Sequence, residues 1–171
     1  MNDPNHVTAA VSQKAAQPKR GTASLDLWPI GNCQCSALVD KEGTFTWACL
    51  PRVDGDPVFC SLIDHGKADG DQRGFWSISL EGGKVVTQSY VRNTPILTTS
   101  FADDDGNAFD VYDFCPRYKR RGRMYRPVAF VRIVRPVSGS PRMRMALRPA
   151  ADYGATSPER SFGSSHVSFR M

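Results

Sequence analysis

Four times in this chain, two short segments of apolar residues spaced by polar ones flank a cluster of turn-forming residues. "CQCSALVD" and "TFTWACL" flank "KEG", and "GFWSISL" and "KVVTQSYV" flank "EGG". "ILTTSFA" and "NAFDVYDF" flank "DDDG", and "PVAFVRIVRPV" and "PRMRMALRP" flank "SGS". Period-two alternation is the mark of a half-buried strand, and glycine supplies the positive φ that a tight turn demands. Each of the four is therefore expected to be a β-hairpin. Phe45, Trp47 and Cys49 are expected on one face of their strand, as are Phe109, Val111 and Asp113 on theirs. Met143, Met145 and Leu147 are expected on the face opposite Arg142 and Arg144. "SHVSFRM" reads as the start of a further strand. With 14 glycines and 12 prolines interrupting the chain, long helices are disfavoured. The most helical stretch, "DPVFCSLID", is short. Eight or nine strands at hairpin spacing predict an all-β fold, an antiparallel β-sandwich of two sheets packed face to face.

The sandwich is expected to span residues 25–171, with residues 1–24 as a flexible tail. That tail holds no large apolar side chain beyond valine and the first methionine, too little to offset chain entropy. It also lacks the apolar core of a secretory signal, and no run in the chain reaches the length of a membrane span. A soluble, cytoplasmic protein with its five cysteines (33, 35, 49, 60 and 115) reduced is the expectation. A sequence that stops inside a strand at Met171 leaves an unpaired edge, so the chain reads as part of something longer.

Charge is unevenly placed. Residues 25–114 carry 6 Lys/Arg against 14 Asp/Glu, whereas residues 115–148 carry 11 Lys/Arg and no acid. The densest part, "PRYKRRGRMYRP" at 116–127, reads as one long loop between strands. Its arginines interleave with Tyr118 and Tyr125, a composition that suits single-stranded nucleic acid, although most such runs are solvated loops. Nucleic acid is therefore not the favoured partner.

Candidate chemistry is sparse. Glycoside hydrolysis needs two carboxylates set apart as acid and base, and Asp26, Asp54, Asp110 and Asp113 are the aspartates in apolar settings. Turn capping by Asp54 and Asp56, and arginine or backbone pairing by Asp113, is the simpler reading. Cys33 and Cys35 are spaced by one residue rather than by the two of a zinc knuckle. His6, His65 and His166 are scattered, and no glycine-rich phosphate loop is present. Neither a metal nor a cofactor is expected.

The most distinctive stretch is "WACLPRVDGDPVF" at 47–59. Taken with Ile30-Gly31-Asn32-Cys33 and Ala37-Leu38-Val39, it resembles the N-terminal domain of bacterial glycoside hydrolase family 15 proteins, the glucoamylase and trehalase-like group. The resemblance continues through "GFWSI", "NTPILTTSF", "VYDFCP", "VRIVRPVSG" and "MRMALRPAADYG", covering about residues 25–154. It implies a supersandwich-like β-domain that precedes an (α/α)6 barrel, in enzymes that hydrolyse α-glucosidic bonds with inversion. The barrel and its acid and base glutamates are absent here, because Glu42, Glu81 and Glu159 read as turn or loop residues. This chain alone is thus expected to be inactive. Its implied partner is a catalytic barrel in cis or from a neighbouring reading frame, with an α-glucoside substrate bound only by the complete enzyme. The family pattern "PRFDS" is here "PRVDG", losing an aromatic at Val53 and a hydroxyl at Gly55. Trp47, Arg52 and Asp54 are the residues expected at the domain interface or beside the sugar; the simpler alternative is that Arg52 and Asp54 pin their own loop. A stand-alone carbohydrate-binding sandwich, with Trp28, Trp47 or Trp76 as a stacking platform, is the competing reading.

Overall fold

The computed structural model describes residues 24–63 and 72–170. The tail expected over 1–24 lies almost wholly outside these residues, as do His6, His65 and Met171. All strand pairing among the described residues is antiparallel, and the only helical element is a single 3-10 turn at Asp152–Gly154.

Two sheets enclose the core. The larger is six-stranded and contains β1 (Trp28–Gly31), β2 (Ser36–Val39), β3 (Phe45–Cys49), β5 (Phe75–Leu80) and β12 (Met143–Arg148) in that spatial order. Its sixth strand, β4 (Pro57–Phe59), also pairs with β3. The smaller sheet is ordered β11 (Val131–Ser138), β8 (Ala108–Phe114), β7 (Leu97–Ala102), β6 (Lys84–Tyr90). Two hairpins stand apart as two-stranded sheets: β9 (Tyr118–Arg120) with β10 (Arg123–Tyr125), and β13 (Glu159–Phe162) with β14 (Val167–Arg170).

Between the sheets lie two apolar clusters. Ile30, Val39, Phe45, Ala48 and Phe59 meet Leu97 and Cys115, while Ile78 and Leu80 meet Phe101, Phe109 and Val111. Phe45 anchors the first, with its ring edge-on to Phe59, Trp76 and Phe130 at centroid distances of 6.2, 5.4 and 5.7 Å. Phe101 and Phe109 are direct cross-strand partners and stack at 4.9 Å in the second. Geometries of this kind add about 0.5–1.5 kcal/mol per pair beyond area burial.

The β2–β3 and β7–β8 hairpins form as the alternation predicts. In the first, Asp40 Oδ1 accepts hydrogen bonds from the backbone N–H of Glu42 and Thr44 at 3.0 and 2.8 Å. Gly43 sits there at φ +76°, and a Cβ on it would lie 3.2 Å from Thr99 and 3.3 Å from Phe101 across the core. Gly43→Ala is therefore expected to lower stability by about 1–2 kcal/mol, read as the midpoint shift in urea unfolding.

The other two expected hairpins are not hairpins. β5 pairs with β12 and β3, β6 with β7, and β11 with β8. Both "EGG" and "SGS" thus carry the chain from one sheet to the other. At the first crossing Glu81 N–H donates to Arg142 C=O, and a Cβ on Gly83 would collide with Leu80. At the second, Ser140 N–H donates to Asn107 Oδ1 and the Ser138 hydroxyl to Gly106 C=O, which braces the crossing against the β7–β8 turn. Alternation survives either route, because an inward-facing residue stays inward in both sheets; the pattern alone does not distinguish them.

Further corrections are local. "DPVFCSLID" contains strand β4 and a turn at 61–63 rather than a helix. Residues 116–127 are not a loop but contain the β9–β10 hairpin, turned by Arg121 and Gly122 at φ +49° and +76°. Glu159 begins strand β13 instead of lying in a loop. Finally, Phe45 and Trp47 do not share a face. The β2–β3 register steps from Leu38↔Trp47 to Val39↔Phe45, so Thr46 is an extra residue on β3. This bulge turns Phe45 inward beside Val39 and leaves Trp47 on the outer face with Leu38.

Candidate functional site

The β3–β4 connection, residues 50–56, follows Trp47 and presents Arg52 and Asp54. A cis peptide joins Leu50 to Pro51, and Gly55 N–H donates to Arg52 C=O at 3.2 Å. Arg52 forms a bidentate pair with Asp54: Nε donates to Oδ1 at 2.8 Å and Nη2 to Oδ2 at 2.7 Å. Their side chains are 75% and 63% exposed. The guanidinium holds the Asp54 carboxyl below its usual range, and the carboxylate raises Arg52. Val53, also exposed, forms an apolar tip between them. The loop is thus self-pinned, with its charged pair turned to solvent.

Trp47 is half-buried on the outer face of the larger sheet, its ring 6.5 Å from Tyr153, which is exposed and held at φ +53°. The other tryptophans are placed differently. Trp76 packs against the core beside Phe45, and Trp28 packs on Tyr90 at 5.3 Å. Of the three, Trp47 has the outward setting a stacking platform needs.

The four candidate carboxylates do not assemble into an acid–base pair. Asp26 is exposed near the start of β1, and Asp54 is held by Arg52. Asp110 accepts from the Ser100 hydroxyl at 2.6 Å on the outer face of β8. Asp113 lies on the opposite, inner face, fully buried. There Arg132 Nε and Nη2 donate to its two oxygens at 2.8 and 3.0 Å, and the same guanidinium donates to the carbonyls of Trp76 and Gly43. The guanidinium carbon sits 4.4 Å from the Phe45 ring centre and 5.3 Å from that of Trp76. Burial pushes the Asp113 carboxyl above its usual range and Arg132 opposes that push. Asp113 therefore has an arginine partner on the neighbouring strand of its own sheet and holds the guanidinium that reaches across to the larger sheet.

Four of the five cysteines are buried and Cys33 is exposed, all as free thiols. Burial and the adjoining Cys35 push the Cys115 thiol up. Among the described residues no three His, Cys, Asp or Glu side chains gather as a metal site requires. None of the helices among them is long and apolar enough to cross a membrane.

Asn32 is the residue whose role sequence reasoning missed. It is buried, and its Nδ2 donates to the carbonyls of Pro116 and Pro127, both at 2.9 Å. Its Oδ1 accepts from the backbone N–H of Gln34 and Cys35 at 2.9 and 3.1 Å. Asn32 thereby clamps the two feet of the basic hairpin to the β1–β2 turn. Its presence within "IGNC" was the available signal; its partners, 84 and 95 residues away, were not.

Residues 23–161 match the family model described as "Trehalase-like, N-terminal". The chain belongs to the trehalase-like N-terminal family. It is 29% identical over 133 residues to the trehalase of Mycolicibacterium smegmatis, an alignment covering 72% of this chain and 20% of that protein. With the trehalase of Thermoplasma volcanium the identity is 28% over 131 residues, covering 75% and 20%. With trehalase 2 of Sulfolobus acidocaldarius it is 35% over 81 residues, covering 47% and 13%. The chain thus spans a fifth or less of the length of these curated relatives. No solved structure matches it. This trehalase-like domain brings Trp47, Arg52 and Asp54 onto one β-hairpin, Trp47 on the strand and the other two in the loop, with no hydrogen bond or cation–π contact between the indole and the ion pair.

Proposed function

We propose that this trehalase-like domain is a non-catalytic part of a glycoside hydrolase of family 15 type, packing against and supporting a catalytic (α/α)6 barrel. Hydrolysis of an α-glucoside such as trehalose would belong to the complete enzyme. The observation that carries this reading is the match of residues 23–161 to an N-terminal domain in trehalases several times longer. The placement of the aspartates supports it, since none of the four shares a site with another. On this reading the Arg52–Asp54 loop faces the catalytic domain, because its charged pair and the Val53 tip are exposed among the described residues. The purified chain is expected to release no glucose from trehalose or maltooligosaccharides; measurable turnover abolished by Asp54→Asn would sink the proposal.

For the loop itself, Arg52→Ala is expected to leave the melting temperature of this chain nearly unchanged, because an exposed pair contributes little. Alanine at the aligned position of the M. smegmatis trehalase is expected to raise KM or lower that enzyme's stability. Unchanged values of both would reduce the loop to a self-pinned turn.

A second reading rests on one observation: Trp47 faces outward beside exposed Tyr153 on the sheet surface. Two adjacent rings suit stacking against a sugar. Quenching of tryptophan fluorescence by maltooligosaccharides, lost in Trp47→Ala, would favour it; an unresponsive spectrum would remove it.

A further inference from the structure

The larger sheet ends in a strand that is incompletely covered. β12 pairs on one side with β5, in the register Met143↔Leu80, Met145↔Ile78 and Leu147↔Trp76. Directly opposed residues share a face, so the three β12 side chains point to the same side as Ile78 and Leu80, which are buried in the core. Yet Met143, Met145 and Leu147 are 46%, 57% and 38% exposed. The smaller sheet ends at β11, whose Val134 packs against the cluster that holds Ile78 and Leu80. Nothing among the described residues continues either sheet past this edge.

The other face of β12 carries Arg144 and Arg148, with Arg142 immediately before the strand, and all three are exposed. Among the described residues no side-chain hydrogen bond or ion pair occupies any of the three. Arginines on an edge strand guard against self-pairing. Here they do so geometrically: two copies of β12 paired antiparallel about Met145 set Arg142 against Arg148 twice, and pairing about Arg144 sets that residue against itself. Like charges directly opposite destabilise a ladder. The guard does not account for three uncovered apolar side chains on the core-facing side.

We infer that the free edge of β12 is a docking site for an extended protein strand in which apolar residues alternate with carboxylates. Its backbone continues the ladder of the larger sheet. Its apolar side chains lie beside Met143, Met145 and Leu147, and its carboxylates meet Arg142, Arg144 and Arg148. The mode is strand addition, in which main-chain bonds give affinity and alternate side chains give specificity. This inference stands apart from the family reading above, since it needs only the edge.

The test uses the full chain and a fluorescein-labelled, end-blocked peptide of strand length alternating valine and glutamate. Controls are a valine–lysine peptide and the valine–glutamate composition rearranged in blocks. Anisotropy is expected to show saturable binding of the alternating acidic peptide alone. Reversing the edge with R142E, R144E and R148E together is expected to weaken that peptide about tenfold and to confer binding of the valine–lysine peptide. Met145→Asp, a substitution at an exposed side chain, is expected to abolish binding while far-ultraviolet circular dichroism stays unchanged. Equal binding of the block peptide, or undiminished binding after charge reversal, would overturn the inference. So would displacement of the peptide by oligothymidylate, which would make the edge a nucleic-acid surface. Light scattering that shows a dimer of this chain dissociated by Met145→Asp would assign the edge to a second copy and overturn it equally.

Discussion

Replacing Arg132 with alanine is expected to cost this domain about 3–5 kcal/mol, the range for breaking a buried ion pair by removing one partner. The side chains of Arg132 and Asp113 are 1% and 0% exposed. Truncating the arginine strands a carboxylate between two sheets, and it also frees the carbonyls of Trp76 and Gly43 that the guanidinium serves. Asp113→Ala is expected to cost as much, because an unpaired guanidinium would then face the rings of Phe45 and Trp76. Removing both charges with Arg132→Met and Asp113→Leu together should restore much of the loss, since well-packed apolar groups replace buried ion pairs at little net cost. Urea unfolding of the two single variants and the double variant gives the coupling directly. A loss below about 1 kcal/mol for the single variants would show that the pair and the carbonyl contacts it supports do not hold the sheets together.

Asn32→Leu is the second large effect. Leucine is close in size but removes two donors and an acceptor, leaving the carbonyls of Pro116 and Pro127 and the amides of Gln34 and Cys35 unpaired. Such losses cost about 1–3 kcal/mol for each buried group fully stripped of partners, and some of the four regain water, so about 2–4 kcal/mol is expected in total. The effect has a spatial signature. The feet of the β9–β10 hairpin lose their clamp, so trypsin should cut at Arg120 and Arg121 in the variant faster than in the parent. Loss of stability without faster cleavage there would mean that the hairpin is held elsewhere.

The two-sheet architecture was legible because period-two alternation and glycine-bearing turns are local, and they give strand positions without knowledge of partners. The faces of β8 and β12 were legible for the same reason. Three things were not. Whether a turn folds back or crosses between sheets depends on long-range pairing, such as β5 with β12. The bulge at Thr46 reverses the face of Trp47 relative to Phe45, and a single inserted residue leaves no periodic trace in so short a strand. The role of Asn32 rests on two proline carbonyls far along the chain. At the candidate site, the charge pattern around Arg52 and Asp54 suffices to anticipate their pairing. The presence of Tyr153 beside Trp47 does not follow from any local pattern, because it depends on where the 3-10 turn after β12 comes to rest.

Because the chain crosses to the smaller sheet and back only once, that sheet is assembled from the single run β6 to β11, while the larger sheet is split around it. β5 meets its partner β12 only across about 70 residues of intervening sequence, Trp76 opposing Leu147. All of β6 to β11 lies between them. Pairings so far apart in sequence slow folding, because loop-closure entropy is lost before the contacts form. During synthesis the smaller sheet can zip as each strand emerges and cover Ile78 and Leu80 with Phe101, Phe109 and Val111, while the β5 edge still waits for β12. Until β12 leaves the ribosome, the nascent chain presents an open β5 edge, a condition under which a chaperone would be engaged.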